Sequence, residues 1–413
     1  MIPPGITAAL AQVPDGPVGV AVSGGGDSLA LLLMLSAAAP GRVAAVTVDH
    51  GLRPESAGEA SAVASLCAGH GIPHATLGWQ GWDGRGNLQD QARLARRRLI
   101  AGWARERGIG TVALAHTLDD QAETLVMRLA RGSGVDGLSG MAEVSRAEGI
   151  LWLRPLLATR RAELRRWLEA AQVAWAEDPS NADARFDRVR ARAALPQLAA
   201  LGIGAERLAA TARAMARARV ALERGTADLA DACLADGGAG DCLLDPAPFL
   251  QAPEELQLRL LAGALGWVSG AVYRPRLLRL EAAMAAVAQG KVGHGLTLHG
   301  CVLRSRGDRI AIRRELARMA PAVPLAAGRW DGRWQIEGTR PDGAGLTIGA
   351  VGAGGLARLS ELRSGPAREA LAATPAIWRA GELVAAPVAR PEPGLSFRRV
   401  SAVPPPWTRD IVR

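Results

Sequence analysis

The chain has 413 residues, of which 49% are hydrophobic, and it carries a net charge of +9. This length allows two or three domains, each with its own core, and the hydrophobic content excludes a chain that is disordered throughout. The basic residues are 48 Arg and a single Lys, Lys291. This surplus suits a polyanionic partner, because arginine binds phosphates bidentately and stacks on bases; genomic base composition explains it equally well.

The cysteines and the hydropathy pattern indicate where the protein works. The four cysteines are far apart and form no CxxC pair, which argues against a zinc ribbon, an iron–sulfur cluster or a disulfide scaffold. They are Cys67, Cys233, Cys242 and Cys301. The chain has no uncharged run of about 18 residues and no basic segment leading into a long apolar stretch at its start. We therefore expect a soluble, cytoplasmic protein with reduced thiols and no membrane partner.

In the first part of the chain, short β-branched runs alternate with helix-length segments. The predicted strands are Val18–Val22, Val43–Val48, His74–Gly78, Thr111–Ala115 and Leu151–Arg154. Such alternation predicts βαβ units and therefore an α/β fold, a Rossmann-like parallel sheet with helices on both faces.

Polar segments follow three of these strands. They are Ser23–Ser28, Asp49–Arg53 and His116–Asp120. Ligands of such sheets bind at the carboxyl ends of the strands. Because these ends meet at one edge of a parallel sheet, we expect that edge to carry the chemistry.

The first polar segment is a glycine loop between a predicted strand and an apolar helix. Its residues are Ser23, Gly24, Gly25, Gly26, Asp27 and Ser28. Glycines let backbone N–H groups close on a phosphate, and the helix dipole and two hydroxyls favour the anion. It is not the loop of kinases and GTPases, because Asp27 stands where that motif has Lys. The segment predicts a phosphate site, with a glycine-rich turn capped by serines as the structural alternative.

A second helix carries acidic residues in its first turns, directly after the strand Thr111–Ala115. Asp120 and Glu123 lie three residues apart and Asp119 and Glu123 four apart, so the acids share one face. Acids in a first turn also simply complement the helix dipole. Their position opposite a phosphate loop favours a site for Mg²⁺ or for a substrate cation.

Several segments in chain order resemble the tRNA(Ile)-lysidine synthetase family, a branch of the N-type ATP pyrophosphatases, which share the SGGxDS loop found at Ser23–Ser28. The matching segments are Val48–Arg53, Asn87–Leu88 with Ala92, Arg93 and Arg96, Ala115–Met141, and Glu177–Asn181 with Arg185, Phe186 and Arg188. The segment Leu298–Cys301 is similar to the family's second domain. Two positions depart from the pattern, since Gln89 replaces an expected Glu and Arg97 an expected Tyr.

The resemblance implies a ligase that forms a carbon–nitrogen bond. Its reaction attaches lysine to C2 of the wobble cytidine in the isoleucine tRNA with anticodon CAU. The C2 oxygen attacks the α-phosphate of ATP to give an adenylated base and pyrophosphate, and the amine of lysine then displaces AMP. The implied cofactors are ATP and Mg²⁺, and the implied partners are the isoleucine tRNA and L-lysine.

The resemblance also implies catalytic roles for three acids. The loop Ser23–Ser28 would hold the pyrophosphate, with Asp27 as the Mg²⁺ contact. Asp120 and Glu123 would hold the lysine ammonium or the metal. His50 and His116 are each either a general base or a structural hydrogen-bonding group.

Arginines supply the remaining candidate substrate contacts. Arg93 and Arg96 would face the phosphate or the nucleotide. The arginines from 185 to 192, among them Arg185 and Arg188, would contact the tRNA backbone, with a solvated helix face as the alternative. The tryptophans are assigned to the core rather than to the site.

The pattern along the chain predicts three parts. Residues 1–200 form the catalytic domain, residues 201–320 an α+β tRNA-recognition domain, and residues 321–413 a small C-terminal region of uncertain, β-rich fold. Within the second part we predict a helical stretch from Glu254 to Ala288, interrupted near Gly266.

Two other functions remain open at this point. A tRNA thiolase would use the same loop but needs paired cysteines or a cluster. A non-catalytic RNA-binding protein would keep the fold as a scaffold, although a retired site has no reason to keep acids beside a phosphate loop. The sequence is compatible with a homodimer as well as with a monomer.

Overall fold

The computed structural model describes residues 3–11, 15–51, 56–79, 88–176, 185, 187–271, 273–339, 341, 344–359, 368–400 and 405–406. The described residues up to Val220 form one compact unit, and those from Ala221 onward form a second. None of the helices in these ranges is long and apolar enough to cross a membrane.

The first unit contains a mainly parallel sheet among its described residues. Its strands are β1 Val18–Ala21, β2 Val43–Asp49, β3 His74–Gly78, β4 Thr111–Ala113, β5 Val144–Ala147 and β6 Ile150–Leu153. The strand order is β3-β2-β1-β4-β6-β5, and every pairing is parallel except that of β5 with β6. All five predicted strands are therefore present, and the short antiparallel edge strand β5 was not predicted.

Helices connect these strands and continue beyond them. They are α1 Pro4–Ala11, α2 Gly26–Ala38, α3 Ser56–Gly69, α4 Leu88–Glu106, α5 Leu118–Leu129, α6 Val135–Leu138, α7 Arg161–Ala170, α8 Asp187–Ala200 and α9 Ala205–Cys233. The division between the two compact units falls inside α9, later than the boundary predicted at residue 200.

Alternate strand residues enter two separate cores, one on each face of the sheet. Val20 of β1 and Leu153 of β6 pack with residues of α2, α3 and α7. Val112 of β4 and Trp152 of β6 pack with residues of α4. Because neighbouring residues of a strand point to opposite faces, this division confirms the prediction of helices on both sides.

The second unit begins with an antiparallel sheet and helices packed on it. The strands are β7 Leu234–Asp236, β8 Cys242–Leu244, β9 Leu296–Leu298, β10 Cys301–Arg306 and β11 Arg309–Arg314, in the order β7-β8-β11-β10-β9. The helices are α10 Pro246–Gln251, α11 Glu254–Ser269 and α12 Leu277–Ala288. The helical stretch is interrupted as predicted, but at Gly270 rather than near Gly266, because Gly266 is buried inside α11 and Gly270, with a φ of +75°, caps the helix.

The remainder of the second unit contains two small sheets among its described residues. Its strands are β12 Val323–Pro324, β13 Arg329–Trp330, β14 Trp334–Gly338, β15 Leu346–Ala350, β16 Pro375–Arg379, β17 Glu382–Ala385 and β18 Leu395–Arg399. Its helices are α13 Gly352–Arg358 and α14 Arg368–Leu371. The sheet orders are β12-β15-β16-β17 and β13-β14-β18. Trp330 and Trp334 lie in the core between them, as the assignment of tryptophans to the core predicts.

Candidate active site

The glycine loop joins the buried strand β1 to the N-terminus of α2. Ser28 Oγ accepts a hydrogen bond from the backbone N–H of Ser23 over 3.1 Å and donates to the carbonyl of Gly25 over 2.8 Å. These bonds fold the loop back onto the first turn of α2. The backbone N–H groups at the start of that helix lack intrahelical partners, so the folded loop offers donors to an anion.

Two glycines of the loop are required by its geometry. Gly24 has φ of +84°, a left-handed conformation that strains other residues. A Cβ added to Gly26 would lie 3.3 Å from the Trp175 ring and 3.4 Å from Leu168, so it would crowd the loop against α7 and the segment after it. The sequence therefore keeps both positions free of side chains so that the loop can lie close to its neighbours and to a ligand.

Helix α5 begins beside this loop with a capping box. Thr117 donates from its backbone N–H to Asp120 Oδ2 over 2.7 Å and from Oγ1 to the same oxygen over 2.9 Å. The backbone N–H of Asp120 in turn donates to Thr117 Oγ1. The cap fixes the direction of Asp120 and leaves its other oxygen, Oδ1, for contacts across the site.

Arg161, the first residue of α7, connects the glycine loop to the acids of α5. Its guanidinium donates to Asp27 Oδ2 over 2.9 Å, to Asp120 Oδ1 over 2.6 Å and to Glu123 Oε1 over 3.4 Å. Its backbone N–H donates to Asp119 Oδ2 over 2.7 Å. One side chain therefore brings the three predicted catalytic acids together.

Two arginines of α8 contact the same acids. Arg188 donates to Glu123 Oε2 over 2.6 Å and to Asp120 Oδ1 over 2.7 Å. Arg192 donates to Glu123 Oε1 over 2.7 Å. The side chain of Glu123 is 1% exposed and that of Asp120 8% exposed, whereas that of Arg192 is 36% exposed. The arginine contacts balance the charge of two almost fully buried carboxylates, which would otherwise be costly.

The charges of the site shift several pKa values. Burial raises the pKa of Asp27 above its ordinary value, and the pairing with Arg161 only partly opposes this rise. Burial acts on Asp120 in the same direction, but Arg188 and Arg161 together hold its pKa below the ordinary value. The guanidinium pKa of Arg161 rises despite burial, because Asp120 and Asp27 favour its charged form. Asp120 and Arg161 therefore stay ionised at neutral pH.

The fit of these acids to Mg²⁺ differs between Asp27 and the pair on α5. No group of three or more His, Cys, Asp or Glu side chains in the described ranges is placed to hold a metal ion. Asp120 and Glu123 have arginine or Thr117 contacts on all four oxygens, so they do not fit a metal as they stand. Asp27 is partly exposed, and its Oδ2 pairs with Arg161. A single carboxylate beside a phosphate loop suits Mg²⁺, which is usually bound by one or two carboxylates and substrate phosphates.

The two candidate bases have different surroundings. His116 follows β4 and is half-buried. Burial lowers its pKa to about 4, with Arg154, Arg188 and Arg93 acting in the same direction and Asp120 opposing them. His50 follows β2, beside Asp49, whose pKa is lowered by hydrogen bonds from Ser56 and from the backbone of Gly51. A histidine that is neutral at pH 7 with so low a pKa is a weak proton acceptor, which favours a structural role for His116.

The structure places the other predicted substrate contacts at exposed positions. Arg93 and Arg96 are exposed residues of α4, and Arg185 is exposed ahead of α8. Arg190 is exposed and pairs with Asp187 on the same helix, whereas Arg188 and Arg192 contact the acids of α5. The predicted motif residues that lie outside the described ranges are Leu52, Arg53, Asn87, Glu177–Asn181 and Phe186.

Sequence reasoning did not find Arg161. A signal was present, since α7 has Arg160 at its N-cap and Arg161 as its first residue, and cations at a helix N-terminus oppose the dipole. Arg160 pairs with Asp119 over 3.0 Å, so both unfavourably placed arginines have an acid partner from α5. A pair of basic residues at a predicted helix start therefore indicates acids that approach from elsewhere in the fold.

The loop between β1 and α2, with acids from the end of the adjacent strand β4, defines the first unit as a PP-loop domain of the ATP-using type. A family model described as a PP-loop domain matches residues 5–199. A tRNA(Ile)-lysidine synthase from Ruegeria pomeroyi is 47% identical over 378 residues, covering 90% of this chain and 88% of that protein. One from a Bradyrhizobium species is 40% identical over 332 residues, covering 75% of this chain and 91% of that protein. The chain belongs to the tRNA(Ile)-lysidine synthase family, and it is a ligase-type enzyme.

Solved structures are more distant. The U34-tRNA thiolase NcsA from Methanococcus maripaludis is 16% identical, with a TM-score of 0.44, over 52% of this chain and 76% of that chain.

Proposed function

We propose that the protein uses ATP and Mg²⁺ to ligate L-lysine to C2 of the wobble cytidine in the isoleucine tRNA with anticodon CAU. The observation that supports this most directly is the meeting of Asp27, Asp120 and Glu123 around Arg161 at one edge of the sheet. It joins a phosphate loop to a cation-binding pair of acids, and the two steps of the reaction need both. The substrates, ATP and tRNA, and the buried thiols agree with a cytoplasmic protein; a homodimer stays a prediction.

In the first step the glycine loop holds the departing pyrophosphate. The N–H groups at the start of α2 stabilise the charge that develops on the leaving group, and Ser23 and Ser28 add hydroxyls at the same place. Asp27 would contact Mg²⁺, which neutralises phosphate charge when bound. Arg161 links Asp27 to the acids of α5 through hydrogen bonds to both.

In the second step Asp120 and Glu123 would hold an ammonium group of lysine. Because every oxygen of the pair already accepts a hydrogen bond, an arginine has to leave when lysine arrives. Arg192 is the side chain that lysine replaces most easily, since its contact with the pair is a single bond. Arg188 makes two bonds and Arg161 bridges three acids, so both stay in place.

The test is Glu123→Gln, which keeps the volume and removes one charge. We expect this variant to release pyrophosphate and accumulate adenylated tRNA, with the lysine requirement raised by about tenfold or more, because a desolvated ammonium loses its anion. Arg192→Gln should leave the lysine requirement equal or lower. Glu163→Gln, an exposed acid of α7, is the matched control. Loss of pyrophosphate release with unchanged lysine dependence would indicate that Glu123 binds Mg²⁺ and would contradict its role in lysine binding.

The thiolase alternative has no support in the described residues. All four cysteines are buried and unpaired. Burial raises the pKa of Cys67 to about 11 and those of Cys233 and Cys301 to about 12, so these remain thiols at neutral pH. Nucleoside analysis of tRNA incubated with protein, ATP and labelled lysine separates the two functions, because only the lysine ligase incorporates the label.

A further inference from the structure

A second group of basic side chains lies at the same edge of the sheet as the glycine loop. Arg154 directly follows β6 and His116 lies close after β4. These strands are parallel neighbours, with Ala113 opposite Leu153, so both residues stand at adjacent carboxyl ends. Ligands of parallel sheets bind at this edge.

The side chains of this group are held in place. The Arg97 guanidinium of α4 lies 5.4 Å from the centre of the Trp152 ring, which itself donates from Nε1 to the carbonyl of Ala147. Arg154 Nη1 donates to the carbonyl of Ala142 over 2.8 Å and to Ser145 Oγ over 3.2 Å. Stacking on a ring and bonds to the backbone give both guanidinium groups a fixed direction.

Polar atoms of the group nevertheless have no partner. Arg97 Nε, Arg154 Nε and His116 Nδ1 are buried, and no hydrogen-bond partner for them occurs in the described ranges. Buried polar atoms form hydrogen bonds in most native structures, so three such atoms without a partner in this group require an explanation. A ligand that accepts hydrogen bonds would supply the missing partners.

The charges in this group are all of one sign. Burial lowers the pKa of Arg154 to about 10, and the next contributors are the like charges of Arg97 and Arg93. Arg128 on α5 responds in the same way, with its pKa lowered by burial and then by Arg93 and Arg219. Asp120 opposes these charges at His116, but both of its oxygens already accept hydrogen bonds from Arg161, Arg188 and Thr117. Repulsion of this kind is relieved by a bound anion.

We propose that Arg93, Arg97, Arg154 and His116 form a phosphate-binding site separate from the glycine loop. Neutral His116 and the two guanidinium groups donate to the phosphate oxygens, and exposed Arg93 covers the open side. The proposal rests on the proposed function, because both candidate sources of the phosphate are substrates of that reaction. One is a backbone phosphate of the RNA next to the target base, and the other is a phosphate of ATP.

The experiment compares Arg97→Gln and Arg93→Gln in the full-length protein with the control Arg98→Gln. Arg98 is the next residue of α4, is exposed, and lines a surface groove with Ala75 and Leu77. One arm measures binding of an anticodon stem-loop RNA against salt without ATP, and the other measures ATP binding without RNA. Thermal unfolding at low salt accompanies both.

We expect the two cluster variants, Arg97→Gln and Arg93→Gln, to bind one of the two ligands more weakly than the unmodified protein does. If the RNA supplies the phosphate, the slope of log affinity against log salt becomes less negative by about 0.7 to 0.9 for each variant. If ATP supplies it, ATP affinity falls by about tenfold, as for a lost charge-assisted hydrogen bond. Either result supports the site, and Arg97→Gln should then unfold at the same or a higher temperature because repulsion is relieved.

The proposal is overturned if both cluster variants match Arg98→Gln in both arms. A lower unfolding temperature of Arg97→Gln with unchanged binding would assign Arg97 to packing on Trp152. Lysidine formation by the unmodified protein is followed separately. If the unmodified protein forms lysidine and both cluster variants bind RNA and ATP as Arg98→Gln does, the phosphate site is rejected and the proposed function stands. If a cluster variant binds one ligand more weakly but the unmodified protein forms no lysidine, the proposed function is rejected and the phosphate site stands.

Discussion

His116 should remain neutral far below the pH at which a free histidine gains its proton. Its pKa is lowered from 6.5 to about 4 by burial, with the arginines 154, 188 and 93 adding to the effect. A pKa lowered from 6.5 to about 4 corresponds to about 3 kcal/mol. Because the unfolded chain binds this proton below about pH 6.5 and the folded chain does not, the free energy of unfolding falls as the pH is lowered.

The perturbation is His116→Gln, which keeps a neutral polar side chain at all pH values. Between pH 6.5 and pH 5 the unmodified protein should lose about 1.6 kcal/mol more stability than the variant, since the slope rises from about half to nearly all of about 1.4 kcal/mol per pH unit as the unfolded histidine becomes protonated. Urea unfolding at both pH values measures this difference. Taking the difference between two proteins cancels the other titrating groups, which both proteins share.

A direct titration accompanies the unfolding measurement. The chain has six histidines, and the NMR signal that disappears in His116→Gln identifies the one of interest. That signal should titrate near pH 4. A midpoint between pH 6 and 7, or unfolding curves of the two proteins that run parallel with pH, would refute the reasoning from burial and like charge.

Three further predictions concern the acids and the division of the chain. Asp27→Ala should abolish pyrophosphate release while tRNA affinity stays within a few-fold, and normal release would remove Asp27 from the mechanism. Arg161→Gln should lower stability by about 2 to 4 kcal/mol, because three acids lose their bridge, and Arg161→Lys should recover only part of this in a urea titration. Equal stability of all three proteins would contradict that role. A fragment of residues 1–220 should bind ATP but lose its preference for the isoleucine tRNA over the initiator tRNA; retained preference would place recognition in the first unit.

The sequence alone determined the parts of the structure that depend on neighbours along the chain. Alternation of β-branched runs and helical segments predicted β1 to β4 and β6 within two residues at each end. The glycines and serines of the loop specify its turn through backbone conformation and short-range hydrogen bonds. Motifs of this kind were sufficient for the class and for the family, because they encode local geometry.

The sequence pattern did not predict the antiparallel strand β5 or the individual strands of the small sheets in the second unit. Strands of two to five residues carry little periodicity, and their pairing depends on partners that are distant in sequence. The interruption of the helical stretch was predicted near Gly266 and lies at Gly270, because a buried glycine and a C-capping glycine look alike in a sequence.

Only the tertiary structure decided which charges meet in the site. Asp27 and Arg161 are 134 residues apart and Glu123 and Arg192 are 69 apart, and no local pattern connects either pair. They meet because β1, β4 and β6 are neighbours in the sheet although they are not consecutive in the chain. The order of the strands thus fixes which residues share the edge, and the cost of burying unpaired carboxylates then selects the arginines that lie beside them.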